Sequence, residues 1–140
     1  MEYRNLEDMY PLAEKNPDFV KTMTGKSLDD INMENVLEGN IEFEDSRIHK
    51  DTLIYQAEIA ELAGNSQFAN NLKRAAELTD VPDEVIFEVY NAIRPFSATK
   101  SKIIELADIL ENKYSAKENA IFIKQAAEML EFYNRLKKDW

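Results

Sequence analysis

The sequence offers few of the side chains that do chemistry. There is one histidine, His49, in the run Arg47-Ile48-His49-Lys50, and there is no cysteine. A Ser-His-Asp triad or a zinc site needs further partners of the right type. With no second His and no Cys, His49 reads as a surface residue at a helix boundary. Carboxylates are plentiful, so a carboxylate metal site is the next candidate. Helical di-iron proteins use Glu-x-x-His, but the residue three before His49 is Ser46. Asp80, Asp83 and Glu84 gather around Pro82. Proline fits the first turn of a helix, and acids there complement the helix dipole, so capping explains them. No calcium loop of the D-x-D-x-D-G type is present. Thr24-Gly25-Lys26-Ser27 looks like the end of a phosphate-binding loop. The first glycine of G-x-x-x-x-G-K-[ST] would fall at residue 20, and Val20 stands there. A glycosidase carboxylate pair is defined by spatial separation, which sequence does not give. The residues therefore nominate no catalytic, cofactor-binding or metal-binding group.

The elements that would position any site are helical. Glycine (3) and proline (4) are too few for a β-rich domain with many tight turns, and they fall between periodic segments. Residues 1–31 contain Pro11, Pro17 and Gly25 but also Tyr3, Met9, Tyr10, Leu12, Phe19 and Val20. A free disordered tail is seldom so rich in large apolar groups. This span is expected to be an extended N-terminal arm lying on its own domain or on a partner, and 32–140 the helical domain.

Within that domain a short helix is predicted at 33–38, capped by Asn32 and stopped by Gly39. A second runs over 50–63, with Leu53, Ala57, Ala60 and Gly64 on one face. Ser66 is expected to cap a third, to Leu78, with Phe68, Ala69, Leu72, Ala75 and Ala76 inward. A fourth starts at Pro82 and ends near Arg94, before Pro95. Val85, Ile86, Val89 and Ile93 form its stripe, while Phe87 and Tyr90 widen it; such a helix is central or covered by a partner. Thr99 caps a fifth over 100–113, with Ile103, Leu106, Ala107 and Leu110 inward. The last spans 116–137, opened by a Ser115/Glu118 capping box. Its expected buried face is Phe122, Ile123, Ala126, Met129, Leu130, Tyr133 and Leu136. The fold class is all-α, an irregular bundle of about five main helices.

Acidic residues number 27 against 17 basic, a net charge of −10. That balance disfavours binding to a phosphate backbone, so no nucleic acid partner is expected. No apolar run approaches the roughly 18 residues that cross a bilayer, so no membrane partner is expected either. The first residues, MEYRNLEDMYPL, lack the apolar core of a secretory signal. A cytoplasmic protein is the expectation.

Read in order, the chain resembles a known family. The carrying segments are Tyr10-Pro-Leu-Ala13, Thr22-Met-Thr-Gly-Lys-Ser-Leu-Asp-Asp-Ile31 and Glu34-Asn-Val-Leu37. Arg47-Ile48, Gln56-Ala57 and Ile59-Ala60 follow. The strongest is RAAELTDVPDEVIFEVYNAIRPF from Arg74 to Phe96, and AIFIKQAAEML follows from Ala120 to Leu130. Together they resemble the small (gamma) subunit of adenosylcobalamin-dependent diol and glycerol dehydratases, across about residues 10–137. Asn32 and Ser97 stand where the family often has Thr and Arg.

The resemblance implies a non-catalytic subunit of a hydro-lyase. Its partners would be a large TIM-barrel subunit and a medium subunit, in a heterohexamer with two copies of each chain. Adenosylcobalamin would lie between those partners, not on this chain, and support radical dehydration of glycerol or 1,2-propanediol to an aldehyde. A reactivating factor would act on the complex. Some relatives carry a long N-terminal extension linked to packaging in a bacterial microcompartment. Only nine residues precede Tyr10 here, which leans toward the glycerol type and leaves packaging open.

For such a subunit the expected interface residues are Tyr3, Tyr10, Phe19, Arg94 and Phe96, because aromatic and Arg side chains anchor interfaces. The same residues could instead belong to the chain's own core. The alternative function is a free-standing acidic helical module for protein binding or regulation.

Overall fold

Helix forms where an apolar 3.6-residue pattern is bounded by a cap and a stop. The computed structural model describes residues 6–138, and Tyr3 lies outside them. The chain is all-α. Eight α-helices occur among the described residues: α1 Leu6–Met9, α2 Leu12–Lys15, α3 Met33–Leu37, α4 Lys50–Leu62, α5 Ser66–Leu78, α6 Asp83–Ala92, α7 Lys100–Tyr114 and α8 Lys117–Phe132. Two 3-10 turns, Pro17–Phe19 and Phe43–Ser46, complete the list, and Lys21 and Ser27 form an isolated antiparallel bridge.

Capping explains most boundaries. The side chains of Asn32 and Thr99 accept the N–H groups of Asn35 and Lys102 at the starts of α3 and α7. Gly39 and Gly64 end α3 and α4 with φ of +75° and +77°. Behind them Asn40 and Asn65 donate N–H to the carbonyls of Asn35 and Ala60, five residues back. Only a residue at ease in the left-handed region closes a helix this way.

Two expected caps move. The cap of α5 is Asn65, whose side chain accepts from Phe68 N–H, and Ser66 is the first helical residue. Ser115 does not open α8. It sits left-handed (φ 56°) at the end of α7, and Ser115 and Ala116 both donate N–H to the Leu110 carbonyl. The last helix also stops at Phe132 rather than 137, with Asn134 at φ 53°.

The chain divides into two compact units between Thr79 and Asp80. In the first, α4 and α5 pack together through the Ala63–Asn65 turn, and α1 rests on α4. Their seam is Ala57, Ala60 and Ala69, with Leu72 against it. The part of the expected arm that is described forms α1, α2 and the Pro17–Phe19 turn, and Met9 and Leu12 are buried.

In the second unit, α7 packs on α8 and on α6. Ile103, Leu106, Ala107 and Leu110 of α7 are all buried, and they meet a helix whose buried residues are Asn119, Ala120, Ile123 and Ala127. Ion pairs cross between these helices: Lys100 to Glu131 at 2.6 Å, Lys124 to Asp108 at 2.9 Å and to Glu111 at 3.0 Å, and Lys102 to Glu88 at 3.1 Å. The Lys100, Lys102 and Lys124 ammonium groups are held above the usual lysine range, first by hydrogen bonds to those carboxylates. Solvent screens such pairs, so they align the helices more than they stabilise them.

Two inward faces differ from expectation for one reason. On α5, Phe68 and Ala75 point outward while Ala69 and Ala76 are buried. On α8, Phe122, Met129 and Tyr133 are exposed while Ala120 and Ala127 are buried. Alanine at the seam lets helices approach closely, and the bulkier residues are left outside.

Candidate partner-binding surface

The potential reactive groups are occupied in structural work. His49 is the N-cap of α4, and its Nδ1 accepts the Asp51 N–H at 3.2 Å. Asp83 and Glu84 lie in the first turn of α6, with Pro82 as N-cap. Among the described residues, no group of three or more His, Asp or Glu is placed to hold a metal ion.

The Thr22–Lys26 segment is a tight turn. Thr22 N–H donates to the Lys26 carbonyl at 3.0 Å, and Gly25 takes φ +89°. Its purpose is a carboxylate that the sequence did not single out. The Asp45 side chain has no solvent exposure, yet it accepts from the Thr24 hydroxyl, from Lys26 Nζ at 2.7 Å and from Glu42 N–H at 2.8 Å. A buried charge needs this degree of pairing. The Lys26 hydrogen bond, then that of Thr24, holds Asp45 well below the usual carboxylate range, against the opposite push of burial. Asp45, Lys26, Thr22 and His49 help line a cavity of about 300 Å³. The one sequence signal for this lock was Thr24-Gly25-Lys26-Ser27, whose glycine and lysine serve a turn and an ion pair.

The lock is part of a wider lattice. Asp30 accepts the Ser27 N–H at 2.8 Å and its hydroxyl at 2.7 Å. Asn32 and Asn35 donate side-chain N–H to the carbonyls of Asp29 and Asp30 at 2.9 and 2.8 Å. Asn40 donates to Asn35 Oδ1 at 3.2 Å and to Glu38 at 2.9 Å. While polar groups tie this segment together, its large apolar side chains point out. Leu37 is 80% exposed, Phe43 74% and Met33 72%, and Leu28, Ile31 and Val36 are also exposed. Met33, Val36 and Leu37 fall at i, i+3 and i+4, so they share one face of α3.

Of the expected interface residues, Tyr10 is exposed. Phe19 is half-buried and meets the Tyr55 ring edge-on at 5.5 Å, within its own unit. Arg94 and Phe96 belong to the second unit and are exposed, two residues apart beyond α6. Phe96 takes φ 62° and is braced by the tail of α8: its N–H donates to the Arg135 carbonyl at 2.6 Å, and the Arg135 guanidinium lies 5.5 Å from its ring. Phe87 and Tyr90 are exposed on α6, so the wide face of that helix is left uncovered among the described residues.

Among the described residues, large apolar groups are thus exposed in both compact units. Residues 6–137 match the family model described as dehydratase small subunit. The chain belongs to that family. It is 50% identical over 130 residues to the propanediol dehydratase small subunit of Citrobacter freundii, covering 93% of this chain and 76% of the relative. The corresponding protein of Salmonella typhimurium (strain LT2) is 49% identical over 130 residues, covering 93% of this chain and 75% of the relative. The family assignment extends through both compact units. Among the described residues no helix is long and apolar enough to cross a membrane.

Proposed function

We propose that this chain is the non-catalytic small subunit of a coenzyme-B12-dependent diol dehydratase. It grips the large and medium subunits, within a heterohexamer holding two copies of each chain. The assembly dehydrates 1,2-propanediol or glycerol to the corresponding aldehyde. The observation that carries this reading is the small-subunit family match over residues 6–137. The exposed apolar groups on α3, α6 and α8 support it, because covering them by a partner removes large apolar area from water.

The fit to adenosylcobalamin is poor on this chain. Its lone imidazole already caps α4, and Asp45, the enclosed carboxylate among the described residues, is fully paired. In this reading the coenzyme, which supplies the radical chemistry when bound, belongs to the partner chains. What this chain's residues contribute is position: ordered backbone and apolar contact. Tyr10, Arg94 and Phe96 are retained as contact residues, with Phe19 as a brace shared with Tyr55. A cytoplasmic assembly on which a reactivating factor acts belongs to the same reading.

Co-expression of the large and medium subunits with and without this chain tests it. The expected result is a stable, active complex only when all three are present. Full activity from the large and medium subunits alone would overturn it.

A further inference from the structure

From Ser27 to Ser46 the chain contains no Lys or Arg. Asp29, Asp30, Glu34, Glu38, Glu42 and Glu44 of this span are all exposed. Along the chain they are interspersed with the outward apolar side chains of Leu28, Ile31, Met33, Val36, Leu37 and Phe43. The backbone beneath is fixed by the Asn32, Asn35 and Asn40 hydrogen bonds and by the enclosed Asp45–Lys26 pair. An apolar patch held out by its own polar lattice is ready to bind with little ordering cost.

We infer that residues 28–43 are the surface that docks onto the larger dehydratase subunit, at an apolar depression rimmed by Lys and Arg. This deepens the proposed function and rests on it. The charge decides the occupant. A second copy of this chain would bring the same acidic rim, with a net charge of −10 on each molecule, and like charges facing each other oppose association. A basic rim steers encounter and fixes register, while the apolar centre supplies affinity.

The test is affinity of the purified full-length chain for the purified large subunit, measured at low and at raised salt. Leu37→Ala with Phe43→Ala should weaken binding about tenfold or more. Asp29→Lys with Glu34→Lys should weaken it at low salt, by a margin that shrinks as salt rises. All four positions are exposed, so circular dichroism and melting should match the parent. If the parent binds and both variants bind equally well, this surface is wrong while the subunit reading stands. If the parent itself fails to bind the large subunit, both fall.

Discussion

Two regions of this chain handle apolar residues in opposite ways. In the α7–α8 pair the apolar side chains of α7 face inward: Ile103, Leu106, Ala107 and Leu110 are shut off from water against an alanine-lined partner helix. Between residues 27 and 46 only Asp45 is enclosed; Asn32 and Asn35 hydrogen-bond backbone carbonyls at the surface, and Met33, Leu37 and Phe43 face water. The first arrangement folds by burial within one chain. The second is ordered by hydrogen bonds and leaves its largest apolar side chains in water. The difference shows which residues serve this chain's own stability and which are available for docking.

The same substitution in both regions should separate them most. Leu106→Ala removes a fully enclosed side chain and should cost about 2–5 kcal/mol in chemical denaturation. Leu37→Ala, at 80% exposure, should change stability by no more than about 0.5 kcal/mol. Comparable losses from the two would end the distinction.

Asp45→Asn comes next in expected size. It removes the charge that Lys26 and Thr24 converge on. Amides of Thr22–Arg47 should exchange faster with deuterated solvent, with no change in α7 or α8. Acid should mimic it in the parent protein. The Asp45 carboxyl is held below its ordinary value near 4, so its contribution is complete above about pH 4 and drains as pH falls further. Amide exchange as a function of pH should show the 22–47 segment losing protection within that acid range.

The smallest effect is expected from Lys124→Ala. It breaks two ion pairs to α7, but all three groups are open to solvent, so denaturation should hardly move. A large loss would mean that charge, not the alanine seam, holds the hairpin.

The helical fold was legible because period and caps agreed. Asn32, Thr99, Gly39 and Gly64 do the jobs their types suggest, and all four residues chosen for the inward face of α7 are buried. The inward face of α8 was misread because large apolar residues carry more weight than alanine in a periodicity argument. Phe122, Met129 and Tyr133 outweighed Ala120 and Ala127, yet the seam admits only the small ones. Ser115 misled in a similar way, since its S-x-x-E pattern matches a capping box while its backbone is left-handed. The Asp45 lock was legible on one side only: Thr24-Gly25-Lys26-Ser27 stood out, as the end of a failed phosphate loop, while Asp45 did not. Its partners Thr24 and Lys26 are about twenty residues away in sequence, and nothing local marks one Asp among many acids as enclosed. The acidic apolar span was not singled out, because charge was read over the whole chain, and which of its side chains face outward depends on the hydrogen-bond lattice beneath.

Hydrogen–deuterium exchange of this chain, free and mixed with the large dehydratase subunit, tests the central claim most directly. Added protection is expected in the mixture, concentrated between residues 28 and 43 and absent from the buried seam of α7 and α8. Identical exchange in the two samples would contradict it.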